Sequence, residues 1–396
     1  MNQIKAEYEK LHPNVEIQYN TIGFNEVIQK TLTGAVTGES VGIIFDGPEQ
    51  IHELAARGLL EPVDDVIDSI GRDDFEKMSL LKVKGKTYFL PYYVCGFVMY
   101  YRADLFKKHG LQVPKTWDQL LKAAEKLTED TDGDGKVNRY GIAIPASRGY
   151  GTASFFIAFL YANGGTIMDP KGNLIWNSKP VKDTLEFYRK LTKYAPPGIS
   201  EYSYGEIMTA LYSDAVAMSM YPARFLLQCE RHNPQLLPVI EAMDYPNQTG
   251  NGNHRYATEL AGAGIMKGIK NLDVAKDFLK FFMTGSRYTR WLNSVPIHFQ
   301  SVKKSAFKDP AYWAPPLFEK KKETVKTIMH TSTNGIWPLY EWANQVNLDT
   351  AHIFSAFMLT DCVQEVLQTN KPIEEIVANW DKKMKVEIER FRQQKK

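Results

Sequence analysis

Residues 90–120 read LPYYVCGFVMYYRADLFKKHGLQVPKTWDQL. The aromatic run Phe97 to Tyr101 predicts a strand, and the stretch before it, Lys82 to Leu90, reads as a hairpin turning at Lys84-Gly85-Lys86. Further on, Thr116-Trp117-Asp118-Gln119 has capping-box spacing, with the Gln119 side chain able to reach back to the Thr116 amide. Leu120, Leu121, Ala124 and Leu127 then continue the apolar stripe of a helix. Strand texture gives way to helix within this stretch, and a second α/β unit is expected to begin here.

Working outward, the chain alternates the same way. Ile4, Tyr8 and Leu11 mark one face of an opening helix that Pro13 breaks, and Val15, Ile17 and Tyr19 alternate as a half-buried strand should. Phe24, Val27, Ile28 and Leu32 are spaced as a helix, Val41 to Phe45 as a buried strand, and Ile51, Leu54 and Ala55 as a helix stopped at Gly58. Beyond the quoted segment, strand Tyr140 to Ile144 precedes helix Ala153 to Ala162, which ends at Gly164-Gly165. A helix through Val181, Leu185, Tyr188 and Leu191 stops before Pro196-Pro197-Gly198, and Ala215 to Met218 is a short strand. The last helix carries Ile373, Ile376, Val377, Trp380, Met384, Ile388 and Phe391 on one stripe. Trp117, Trp291 and Trp380 lie in such stripes and read as core. Helices alternating with strands predict layered α/β architecture.

Composition narrows the function. A chain of 396 residues exceeds what one core supports, so two domains are expected. With 44% hydrophobic and 24% charged residues the chain is an ordinary folded one, and no stretch approaches the roughly 20 apolar residues a membrane span needs. Lys and Arg number 48 against 46 Asp and Glu, and the basic clusters at 320–322 and 382–385 sit among acidic residues, which argues against nucleic acid. Cys95, Cys229 and Cys362 have neither metal-ligand nor pairing arithmetic, so buried free thiols are expected and the redox compartment stays open. Met1 leads directly into an amphipathic run without a charged n-region or apolar h-region, so any export signal is expected to have been removed or omitted.

Motifs that look catalytic fail on context. Gly38-Glu39-Ser40-Val41-Gly42 matches GxSxG, but a nucleophile elbow needs a strand before and a helix after, and here the order is reversed. His52-Glu53 opens a HExxH motif whose second histidine is Ala56, and it reads as a surface pair. Asp64-Asp65 and Asp73-Asp74 are adjacent and diverge, while Gly262 to Gly268 misses both phosphate-loop spacings. No enzyme is expected, and no cofactor is required. One ion motif is better: Asp130, Asp132, Asp134 and Asn138 offer oxygens at loop positions one, three, five and nine, with the Lys136 carbonyl at seven. The twelfth position is Gly141 instead of Glu. A structural calcium and an empty Asx-turn loop are both open readings.

The stretch Leu90-Pro91-Tyr92-Tyr93, then Val98 to Arg102, Asp104-Leu105-Phe106, Gly110-Leu111 and Pro114 to Asp118, closely resembles the signature of the family 1 extracellular solute-binding proteins of bacterial ABC importers, the maltose-binding-protein-like group. Ile44-Phe45-Asp46, Gly58 to Pro62, the 132–135 loop before Tyr140-Gly141, Asn163-Gly164-Gly165, Ala215 to Met218 and Pro372 to Trp380 follow in the same order. Members usually carry a first strand before the initial helix, together with an export signal; this chain starts at the helix. The resemblance implies a periplasmic-binding-protein-like fold, two α/β lobes with a ligand cleft and several hinge crossings, expected near 104–112, 260–270 and 305–325. Lobe one would be 1–108 and 266–315, lobe two 109–265 and 316–396. It further implies a monomeric extracytoplasmic receptor that delivers a carbohydrate, expected to be an oligosaccharide, to permease subunits, with membrane contact only through the permease or a removed lipid anchor. A receptor for a glycerol phosphoester and a carbohydrate-active enzyme are the alternatives.

A sugar site needs aromatic platforms for CH faces and planar polar groups for hydroxyls, and the chain holds 21 Tyr, 20 Phe and 7 Trp. Asp46 and Glu49 follow a buried strand at its carboxyl end, where α/β folds place ligands; Asp46 serves either as a hydroxyl acceptor or as a helix N-cap. The resemblance brings in Tyr92, Tyr93 and Phe97, then Tyr221 and Arg224, and a cleft-edge segment with Glu259 and Gly262. Trp337, Tyr340 and Trp342 stand in the densest aromatic segment, as stacking or packing residues.

Overall fold

The capping box at Thr116 forms in full: the Gln119 amide donates to Thr116 Oγ1 at 3.2 Å, and the Thr116 amide donates to Gln119 Oε1 at 3.1 Å. It opens helix Trp117–Lys126 in the computed structural model, which describes residues 1–37, 42–76, 79–251, 255–336, 341–342 and 346–394. Ten strands occur among the described residues: β1 Ile43–Asp46, β2 Leu60–Glu61, β3 Lys82–Val83, β4 Lys86–Thr87, β5 Leu90–Gly96, β6 Val98–Arg102, β7 Met218–Tyr221, β8 Ile240–Met243, β9 Tyr256–Met266 and β10 Gly335–Ile336. The β3–β4 turn has Lys84 and Gly85 both at positive φ, 49° and 81°, the backbone that a tight right-twisted hairpin demands.

Two open sheets carry the fold. The long β9 is the spine of the first, pairing antiparallel with β1, β2 and β5 and, at its start, parallel with β10. The second sheet runs β7-β6-β8, all antiparallel. Because strand side chains alternate between faces, β6 sends Met99 into one hydrophobic cluster with Leu120, Phe156 and Ile376, while Val98 and Tyr100 join the other, where Tyr100 lies 4.9 Å from Phe225. Helices Trp117–Lys126, Tyr150–Ala162, Lys179–Leu191 and Ile373–Gln394 contribute to the first of these clusters; Tyr204–Tyr212 and Arg224–His232 contribute to the second. Glycine matters where backbones approach: a Cβ on Gly96 would fall 1.9 Å from Thr331 Oγ1, so only glycine lets helix Lys322–Asn334 lie against β5.

Several expectations are corrected. Residues 15–19 form no strand: Ile17 donates its amide to Glu9 Oε1 at 2.7 Å, and no strand among the described residues runs alongside to complete a ladder. Leu11 is 65% exposed although Ile4 and Tyr8 are buried. The strand expected at 215–218 begins at Met218, and Tyr140 to Ile144 makes only isolated bridges to Val216 and Ser219. The chain passes from β5 to β6 through the single residue Phe97 and returns to the first sheet between Met243 and Tyr256. Ala306, Leu317, Val325 and Ile328 join the cluster that holds the first sheet's core. Hydrophobic runs identify strands but not which sheet receives them, and pairing partners far along the chain decide that.

Candidate functional site

At the junction of the two sheets lies a cavity of about 410 Å³. The end of β1 and the start of helix Pro48–Ala56 supply Phe45, Asp46, Gly47 and Glu49; β5 supplies Tyr92 and Tyr93; the crossing residue Phe97 follows; and β9 supplies Ala257 to Ala261. From the opposite side come Ser154 and Ile157 of helix Tyr150–Ala162, Tyr204, Pro222, Arg224 and Phe354. The register of β9 against β5, in which Glu259 lies opposite Cys95 and Ala261 opposite Tyr93 across an irregularity between Pro91 and Tyr93, brings Tyr93 and Glu259 together.

The Tyr93 hydroxyl donates to Glu259 Oε1. Enclosure away from bulk water raises the Glu259 carboxyl above its ordinary range, against the pull of the Arg224 charge and of the Tyr93 hydrogen bond. Arg224 sits deep in the cleft with its surface open to the cavity; burial pulls its proton affinity down, and the Glu259 carboxyl with the neighbouring tyrosines more than restores it. Its Nε donates to Nε2 of His298 at 3.2 Å. Asp46, 5% exposed, accepts the Gly47 amide on Oδ1 at 2.7 Å, while Oδ2 has no hydrogen-bond partner among the described residues. Burial pushes this carboxyl up to about 7, with the Gly47 amide acting the other way. The N-cap of helix Pro48–Ala56 is Gly47, without a side-chain cap, so the N-capping alternative for Asp46 does not hold. Aromatic rings support these groups from behind: Tyr92 lies 5.7 Å from Phe45 and 5.2 Å from Trp291, and Phe97 5.0 Å from Phe155. The arrangement can accept and donate hydrogen bonds to a hydroxylated molecule between apolar walls.

The family model described as bacterial extracellular solute-binding protein matches residues 1–284. The chain belongs to that family. Among relatives of this solute-binding protein, a mannitol-binding protein of Pseudomonas aeruginosa is 28% identical over 225 residues, covering 55% of this chain and 50% of the relative. The chain spans about half the length of these curated relatives. Two solved structures share the fold nearly end to end. An ABC transporter solute-binding protein of Thermotoga lettingae bound with α-D-tagatose is 19% identical, with TM-score 0.82 and coverage of 98% of this chain and 95% of that one. Another from Agrobacterium radiobacter, in complex with ribitol, is 20% identical, with TM-score 0.82 and coverages of 97% and 94%.

Of the binding residues expected in this solute-binding protein, Asp46, Glu49, Tyr92, Tyr93, Phe97, Arg224 and Glu259 line the cavity. Three described ones do not. Tyr221, 2% exposed, packs its ring 5.8 Å from Tyr204. Gly262 is where the Phe89 ring presses on β9, since a Cβ there would lie 2.3 Å from that ring. Trp342 donates Nε1 to the Met168 carbonyl at 2.7 Å and carries Arg255 over its ring at 4.4 Å. Trp337 and Tyr340 lie outside the described residues, as does Ser40.

His52 and Glu53 are not a surface pair: both are buried, and Glu53 accepts from Arg57 and from His352 of helix Leu348–Ser355. Sequence reading missed Ser154, Ile157, Tyr204 and Phe354. Helix Tyr150–Ala162 is apolar almost all round and offers no pattern that sets its cavity face apart. The Ser203–Glu206 capping box ahead of helix Tyr204–Tyr212 was a legible signal for a helix start beside the cleft.

In the acidic loop, carboxylate oxygens of Asp130, Asp132 and Asp134 converge within 4.8 Å. Asp130 accepts the amides of Gly133 and Gly135, and Asp134 accepts that of Lys136. The Asn138 Oδ1 accepts both the amide and the hydroxyl of Thr131 at 2.9 and 2.8 Å, tying the end of the loop to its start.

Proposed function

We propose that this chain is the solute-binding subunit of an ABC importer and that its cavity takes one small polyhydroxylated solute, a linear polyol or a sugar of one or two rings. The observation that carries this reading is the pairing of aromatic walls with Asp46, Glu49, Glu259 and Arg224 in one cleft. Such a solute offers CH faces to rings and hydroxyls to carboxylates and guanidinium. A volume of about 410 Å³ stands low in the usual range of small-molecule sites, which favours a short ligand over the longer oligosaccharide expected from sequence. Three carboxyls against a single guanidinium among the described lining residues disfavour a phosphoester. The mannitol, tagatose and ribitol named for the relatives point the same way.

In this reading the protein works as an extracytoplasmic monomer, hands its solute to permease subunits, and performs no chemistry. No cofactor takes part. Closure is hinge bending of the two sheets about Phe97, the single residue between β5 and β6. No described helix is long and apolar enough to cross a membrane.

The test is thermal-shift and calorimetric titration with D-mannitol, ribitol, D-tagatose, maltose, maltotriose and glycerol 3-phosphate, with product analysis. Saturable stabilisation by one or more of the small neutral ligands, without turnover, is expected. Preference for glycerol 3-phosphate, or appearance of hydrolysed maltose, overturns the reading.

A further inference from the structure

His298 has no exposed surface and does not line the cavity, yet it touches the one cationic side chain that does so among the described residues. Its Nε2 is 3.2 Å from Arg224 Nε. A guanidinium nitrogen only donates, so Nε2 must present its lone pair and the ring proton must sit on Nδ1. The imidazole is wedged between Tyr93, 5.3 Å away, and Phe299, 5.1 Å away. The segment holding it is pinned to β5, with Val94 and Gln300 exchanging backbone hydrogen bonds at 3.0 and 3.2 Å. Ile297, directly before His298, has φ of 70°, a left-handed backbone that a β-branched residue rarely adopts. Strain of this kind persists where the surroundings impose it, and it gathers at functional sites.

We propose that His298 is a positioning residue: by holding Nε of Arg224 it turns the remaining guanidinium donors toward the cavity beside Glu259, making a donor and acceptor pair that selects ligands with adjacent hydroxyls. This rests on the proposed reading of the cavity as a polyol or sugar site. Two features support it. Burial, and then the Arg224 charge, keep the imidazole from protonating, so its lone pair stays available. Tyr93, which shares the ring contact, is itself bonded to Glu259, so the same small cluster sets both halves of the pair.

The experiment has a ligand-free arm and a binding arm, both on the full chain. Nitrogen-15 NMR of the histidine rings between pH 5 and 8 is expected to show His298 as a non-titrating Nδ1–H tautomer. An Nε2–H tautomer or an imidazolium overturns the contact. In the second arm, His298→Leu and His298→Gln are titrated with D-mannitol, ribitol and D-tagatose. The Leu variant is expected to bind about tenfold or more weakly, and the Gln variant, whose side-chain oxygen can accept from Arg224, to stay within about threefold of the parent, at matched melting temperatures. Equal affinities for all three proteins, or equal losses in both variants, overturn the positioning role. If the parent binds neither these three probes nor maltose, the polyol and sugar reading falls and with it the role in ligand selection, while the tautomer separately decides the His298–Arg224 contact.

Discussion

The two walls of the cavity are built differently. The wall on the first sheet carries three carboxyls, Asp46, Glu49 and Glu259, with Tyr92 and Tyr93 between them; the facing wall is Ile157, Pro222 and Phe354, with Arg224, Ser154 and Tyr204 at its polar edge. One side reads hydroxyls and the other covers carbon. Asp46 ends β1 and Glu259 stands on β9, where backbone pairing holds them, and Glu49 sits in the first turn of helix Pro48–Ala56, whereas the apolar wall includes helix flanks that are also core: Ile157 has no exposed surface and Phe354 is 3% exposed. Affinity and stability should therefore separate on the first wall and merge on the second.

The largest effect is expected from Phe97→Ala. Phe97 is 4% exposed, packs on Phe155 and lines the cavity, so the change should cost about 3–5 kcal/mol of stability together with affinity. Denaturant melts showing an unchanged midpoint would break the claim that the lining at the passage between the sheets is also core.

Next comes pH. The folded Asp46 carboxyl titrates near 7 because it is buried, above its ordinary value of 3.8. Between those values the folded form holds a proton that the unfolded chain has released, so stability falls as pH rises from about 4 to 7. Burial also raises Glu341 to about 7, and it adds in the same direction. Asp46→Asn should flatten part of that decline by a few kcal/mol, read from urea midpoints of ligand-free protein across the window; a variant profile parallel to the parent would contradict it.

Glu259→Gln, on the polar wall, should lower ligand affinity by about 1–2 kcal/mol with little change in melting temperature. Calorimetry finding the reverse would merge the two walls. Gly262→Ala sharpens the boundary of the site: the added Cβ meets the Phe89 ring, so about 1–2 kcal/mol of stability should go while affinity holds. Smallest of all, EDTA should leave ligand affinity unchanged in titrations, since no residue of the 130–138 loop lines the cavity.

Much of the local structure was legible. The Thr116 capping box, the Lys84-Gly85 hairpin and the last helix follow from short-range spacing, where the side chain that signals an element also makes it. The alternation at Val15, Ile17 and Tyr19 misled because a strand exists only if another strand completes its hydrogen bonds, and no local pattern supplies one. Gly262 and Arg224 illustrate the same limit at the site. Both sit near the cleft in sequence terms, but only the packing of Phe89 against β9 and of His298 against Arg224 separates a packing glycine from a ligand-facing cation.

By itself the sequence determined the α/β class, the resemblance to solute-binding proteins, and the supply of aromatics and carboxylates, because composition and periodicity are local properties of a chain. Tertiary structure alone decided that the passage between sheets is Phe97, that Tyr93 meets Glu259 across 166 positions of sequence, and that a buried histidine stands behind Arg224. Those facts depend on strand register and on close packing between distant segments, and neither is written in any window of neighbouring residues.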